Sequence, residues 1–121
     1  MLIRDPRLRK ALLRALADDQ SSRILAATSR RPLSAMDLIR DLGLPSSSAY
    51  LRIHELEEGR LLAVARTVLT EDGKKYQMYK AAFREVNVRF NAGEIVVFAV
   101  PNADVVQKAF HLFHSFEENG D

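Results

Sequence analysis

Three hydroxyls stand in a row at Ser46, Ser47 and Ser48, and Tyr50, Leu51, Arg52 and His54 follow closely. Side chains of these types donate and accept hydrogen bonds, neutralise anions and pack against methyl groups. They are the means of recognition, not of bond-making. A second group is cationic: Arg66, then Lys74 and Lys75 directly after an Asp72-Gly73 pair. A third group, His111 and His114 with Glu117 and Glu118 a turn further on, puts imidazoles and carboxylates on one helical face, a spacing that can hold a metal. The chain has no cysteine, which removes disulfides, thiolate nucleophiles and zinc sites built on sulfur. It carries no glycine-rich phosphate loop and no Ser/His/Asp set in a recognisable setting. The remaining acids are scattered at helix ends and on polar faces, where capping and solubility explain them. No enzymatic activity and no cofactor is expected.

Charge adds direction. Net charge is only +2, but its distribution is uneven. Residues 1–60 hold eleven Lys/Arg against eight Asp/Glu. Residues 61–93 hold Arg66, Lys74, Lys75, Lys80, Arg84 and Arg89 against Glu71, Asp72 and Glu85. The last 28 residues hold Lys108 alone against five acids. A polyanion is steered toward the first three-quarters and repelled by the tail. Charges begin at Arg4 and recur too often for a targeting core, and no stretch is long enough to span a bilayer. A cytoplasmic location and no membrane partner follow as expectations.

The elements that must position these groups are readable in order. Residues 7–17 predict a helix with Leu8, Ala11, Leu12, Ala15 and Leu16 on one face. Asp18 and Asp19 break it and cap a second helix that runs to about Ser29 and buries Ile24 and Leu25. After Arg30, Arg31 and Pro32, Ser34 with Asp37 forms a capping box for a short helix over 35–42, with Met36, Leu38, Ile39 and Leu42 as its apolar residues. Gly43 closes it in the left-handed conformation, and Leu44-Pro45 turns. Ser46 or Ser47 caps the next helix, which keeps Ala49, Ile53 and Leu56 inward and stops at Gly59. The period then shifts to two. Residues 61–70 and 75–83 predict a hairpin turning at residues 71–74, and residues 85–90 and 95–100 a second one turning at Asn91-Ala92-Gly93. Pro101 ends it, and Asn102 or Asp104 opens a last helix with Val106, Ala109, Phe110, Phe113 and Phe116 on a wide apolar face.

Short helix, glycine turn, second helix is the helix-turn-helix pattern: the first helix props the second, whose N-terminal outer face enters the major groove. The stretch is also similar to winged-helix regulators of the ArsR type, in the variety common in archaea. The likeness rests on Arg23-Ile24-Leu25, Leu33-Ser34 with Leu38, and Gly43-Leu44 with Ser47, Ala49, Ile53, Leu56-Glu57-Glu58 and Leu61-Leu62, within residues 10–82. It departs at Arg52, where the family often has histidine, at Gly59, one residue early, and in the second hairpin, which lies outside the core motif. The fold expected is α+β: a winged helix-turn-helix with a C-terminal second hairpin and a C-terminal dimerisation helix. Residues 1–83 form the DNA-binding region and residues 84–121 the dimerising part of the same compact domain.

The resemblance implies double-stranded DNA as partner and transcription regulation as function. Ser47, Leu51 and His54 then point farthest from the inward stripe, with Ser46, Ser48 and Tyr50 beside them. Serine hydroxyls reach bases or phosphates, Leu51 packs on a thymine methyl, and Tyr50 and Arg52 face phosphates, Tyr50 being equally readable as a half-buried prop. Arg66, Lys74 and Lys75 form the wing that lies on the backbone or in the minor groove. Leu8, Leu12 and Leu16 of the first helix and Phe110, Phe113 and Phe116 of the last exceed what so small a fold covers, so a homodimer is expected to bury them. A two-fold pair would set two reading helices roughly 34 Å apart. The alternative is that those phenylalanines fold back onto their own sheet. No metal site is expected: the upstream acid-x-His half of the family's last-helix site is replaced by Pro101 and Ala103, so His111 and His114 read as solvent-facing groups beside the dimer seam. Two other functions fit the same pattern. One is a protein-interaction module in a multi-subunit assembly, which the weakly charged second helix favours; the other is a nonspecific architectural DNA binder.

Overall fold

The computed structural model describes residues 1–105; the expected last helix, with Phe110, Phe113, Phe116, His111 and His114, lies outside them. Helix α1 spans Pro6–Ala17. Asp5 caps it, accepting from the Arg7 amide at 2.9 Å, and Pro6 follows at the position where a missing N–H costs nothing. Asp18 then serves two helices: its amide closes α1, and its carboxylate accepts from the Ser21 amide at 2.9 Å to open α2, Asp19–Thr28. A two-residue strand β1, Leu33–Ser34, leads into α3, Ala35–Leu42, and α4 follows at Ser46–Glu58. Strands β2, Leu62–Leu69, and β3, Lys75–Ala81, make the first hairpin; β4, Phe83–Asn91, and β5, Glu94–Pro101, make the second. A 3-10 turn at Ala103–Val105 ends the described chain.

The sheets are antiparallel. One is ordered β1-β3-β2, with Leu33 opposite Tyr79, and Tyr79 in turn opposite Val64; the other is β4-β5. Residues 1–3 add a partial third strand to the second sheet: the Ile3 amide donates to Val97 O at 2.9 Å and the Ala99 amide to Met1 O at 2.8 Å. One apolar cluster runs through the helices and both sheets, including Leu12, Ile24, Leu38, Ile53, Leu62, Phe83, Val97 and Val105. A short strand, a helix-turn-helix and a hairpin wing in this order make an α+β winged-helix fold extended by a second hairpin. No helix among the described residues is long and apolar enough to cross a membrane.

Several expectations are corrected. Leu8 and Leu12, assigned to a dimer seam, are 3% and 1% exposed and belong to the chain's own core, whereas Leu16 is half exposed. The helical stripe shows correctly that α1 is buried on one face; what buries it is the protomer itself. Of the apolar residues of α3, Leu38 is fully buried, whereas Met36 is 64% exposed. Leu25 is only partly buried, and Thr28 is the fully buried residue near the end of α2, its hydroxyl donating to Ile24 O at 2.8 Å. Ser46 and Ser47 do not cap α4: extended Pro45 occupies that position, with no side-chain cap bond. Gly59 ends α4 in an ordinary right-handed conformation, and Arg60 adopts the positive φ of 65°. Gly59 instead sits at a close approach, since a Cβ there would lie a tight 3.2 Å from Glu55 O and in contact, at 3.5 Å, with Ala11 Cβ of α1.

Asn102, expected only as a helix cap, is a buried tie. Its side-chain amide donates to Ala81 O at 2.9 Å and to Ser29 O at 3.1 Å, while its backbone amide donates to Ala82 O at 2.9 Å. It joins the end of the second hairpin to the end of the first and to the exit of α2.

Candidate nucleic-acid interface

The reading helix is held from behind. Ala49, Ile53 and Leu56 are buried at spacings of four and three, which fixes the rotation of α4. Arg52 sits on the flank of that inner face. Its Nε donates to Asp18 Oδ2 at 3.0 Å, and its Nη1 lies 3.6 Å from Glu55. The Asp18 carboxyl is held below its ordinary range chiefly by the Ser21 backbone amide and further by Arg52. The expectation that Arg52 faces phosphate is therefore corrected: the guanidinium braces α4 against the α1–α2 corner, an ion pair between residues too far apart in sequence for local spacing to show.

Helix α3 is set with equal care. The Ser34–Asp37 capping box forms in both directions, at 3.1 and 3.0 Å, and lowers the Asp37 pKa. Gly43 takes φ 63° as the left-handed close of α3. Arg23 of α2 donates to the Leu42 carbonyl at 2.7 Å, satisfying an orphan acceptor at the end of α3. The turn into α4 is thereby fixed on both sides.

The remaining side of α4 is open. Ser46, Ser47, Tyr50, Leu51 and His54 are exposed, Leu51 by 51%, and Ser48 is partly buried with its hydroxyl on Pro45 O at 3.2 Å. His54 pairs with Glu58 at 3.1 Å. The first amides of α4 lack both intrahelical acceptors and a side-chain cap, and the three serines lie in that same turn. Tyr50 reaches Met36 Sδ at 3.8 Å, linking the first turn of α3 to the exposed side of α4.

The wing is a hairpin whose tip is closed by Thr70. The Gly73 amide donates to Thr70 O at 3.0 Å, the Thr70 amide to Lys74 O at 2.8 Å, and the Lys74 amide to Thr70 Oγ1 at 3.0 Å; Gly73 has φ 83°. The register separates the three cations. Lys75 lies opposite Leu69 and shares a ribbon face with Thr67, Gln77 and Tyr79, while Arg66 lies opposite Met78 on the other face. Lys74 at the tip is 3.9 Å from Asp72. The Lys75 face looks into a groove shared with Met36, Tyr50, Gln77 and Tyr79. Burial raises the Tyr79 pKa, with added contributions from Glu57 and Tyr50.

The structure thus brings Ser46, Ser47, Tyr50, Leu51 and His54 onto one exposed side of α4, and Lys75 onto the groove beside it. It does not bring Arg52 there, nor Arg66 onto the same wing face as Lys75. Met36 and Gln77 join the groove unannounced by the sequence. The signal for Met36 was the two-residue strand β1, which is too short to read by alternation. Among the described residues no group of histidines and carboxylates could hold a metal.

No family model and no curated protein matches this chain. Solved structures similar to it include HlyU from Vibrio cholerae, at 21% identity over 89% of each chain with a TM-score of 0.43. They also include NolR from Sinorhizobium fredii, at 16% identity over 89% of this chain and 82% of that one, with a TM-score of 0.42. At these values the likeness carries no further weight, and the winged-helix assignment stands on the chain's own helices and sheet.

Proposed function

We propose that this protein binds double-stranded DNA with sequence preference, as a homodimeric cytoplasmic transcription regulator of the ArsR-like kind. One observation carries the reading: α4 keeps one side in the core, is braced there by Arg52 and Asp18, and leaves Ser46, Ser47, Tyr50 and Leu51 open beside a basic wing. Hydroxyls and a leucine at the front of the helix suit base edges and thymine methyls, and Lys74, Lys75 and Arg66 suit phosphates. Two copies would present two such helices to a palindromic site, with Leu16 and Phe110, Phe113 and Phe116 contributing to the seam.

A mobility-shift titration of genomic and random duplexes at two salt concentrations tests the reading. Binding should weaken with a log–log slope of about −0.9 per phosphate neutralised, and some genomic fragments should bind more tightly than random duplex. Absence of any binding at low salt would abandon the proposal. A second reading, a protein-interaction module, draws on one observation: the open side of α4 carries no lysine or arginine, His54 lies against Glu58, and Leu51, Tyr50 and nearby Met36 are exposed. Salt-sensitive binding without sequence preference would instead mark an architectural role.

A further inference from the structure

Strand β4 has β5 as its neighbour on one side, and its other edge faces no strand among the described residues. It is nine residues long, carries no proline and no lysine, and after a register shift at Arg84 alternates polar with apolar side chains from Glu85 to Asn91. Protected edges are short, interrupted or lysine-bearing; from Glu85 to Asn91 this edge stays in unbroken register with β5, and its two charges, Glu85 and Arg89, are of opposite sign. Its turn, Ala92-Gly93, has φ of 53° and 85°, a two-residue turn whose closing pair is Asn91 and Glu94. The backbone groups of Asn91, Arg89, Asn87 and Glu85 therefore point to β5, and those of Phe90, Val88 and Val86 point to the free edge.

Around Asn87 the strand is self-complementary. Val86 and Val88 flank it, then Glu85 and Arg89. We propose that β4 pairs antiparallel with β4 of a second copy of this chain, about a two-fold axis at Asn87. In that register Val86 lies opposite Val88 of the second copy as a hydrogen-bonded pair, and Glu85 lies opposite Arg89 of the second copy. Symmetry repeats both pairs. The outward backbone groups of Val86 and Val88 are the ones this register needs, so pattern and register agree.

Two observations support the second copy as the occupant. Neither Glu85 nor Arg89 makes an ion pair with another described residue, and across the hairpin they face Val100 and Val96. The ribbon face of Val86, Val88 and Phe90 continues into Ile95, Val97 and Ala99; its base is buried, but Phe90 is 73% exposed and Val88 and Ile95 about half. Pairing sets two such stripes side by side and covers apolar surface that one copy leaves in water. The proposal rests on the homodimer reading and not on DNA binding.

Charge reversal tests it by sedimentation of the full chain. Glu85→Arg or Arg89→Glu alone sets like charges opposite each other twice and should raise the dimer dissociation constant roughly tenfold. Mixing the two single variants, or combining them in one chain, should restore it. Because the chain has no cysteine, Asn87→Cys supplies a single thiol; at the axis its Cα lies about 4.5 Å from its mate, within disulfide range. It should oxidise to a covalent dimer, whereas Asn91→Cys should not. A dimeric wild type with no response to reversal, or with no cross-link at residue 87, overturns this register and leaves the homodimer standing. A wild type that is monomeric at every concentration removes both. A chain that dimerises only after deletion of residues 106–121 assigns the edge to its own tail and likewise overturns the proposal.

Discussion

Leu51 and Arg52 are neighbours with opposite duties. Leu51 is turned to solvent and Arg52 to Asp18, and one step of about 100° around α4 separates them. Sequence pattern alone identified the first correctly, because the inward stripe sets the rotation. It misplaced the second, because a long cationic side chain reaches sideways to partners that spacing cannot reveal. On the proposed reading Leu51 contributes by burying a thymine methyl. Replacing operator thymines by uracil should weaken binding about fourfold per contacted methyl, and Leu51→Ala should bind both duplexes alike. A wild-type protein indifferent to uracil in a direct titration would remove Leu51 from the reading set. At the same scale, Asp18 and Asp37 titrate lower in the folded chain than in the unfolded one. The stability they contribute is complete above their ordinary value of 3.8 and is lost as pH falls through the lowered folded values. Urea midpoints should therefore fall between about pH 6 and about pH 3, and less steeply in Asp37→Asn.

Among the elements, those defined by local signals were legible: the Asp18 cap, the Ser34–Asp37 box, the left-handed Gly43 and both hairpin turns all stand where their residues require. Those defined by distant pairing were not. Strand β1 exists because Leu33 and Ser34 pair with Tyr79 and Met78, and the strand at residues 1–3 exists because β5 offers an edge. Nothing in two or three residues announces a partner so far along the chain. Asn102 belongs to this class, since its value lies in joining Ser29 and Ala81. Asn102→Ala would strand those buried carbonyls and should cost about 1–3 kcal/mol in chemical denaturation. A loss within error would show that water replaces the tie.

For the whole molecule, apolar pattern established that α1 is amphipathic but not what covers it. Leu8 and Leu12 are spent on the chain's own core, so of the first-helix residues assigned to the seam only Leu16 remains on the surface. Charge acts at this scale as well. Lys74→Glu with Lys75→Glu should weaken binding to every duplex alike and reduce the salt slope by about two, because phosphates carry no sequence. Loss confined to one sequence would assign the wing a base-reading part. The open start of α4 has a related consequence. Pro45 leaves its first turn without a side-chain acceptor, so on the proposed reading the phosphate that docks there completes the helix. The nucleic acid then acts as a splint, and the protein should melt at a higher temperature in its presence than alone.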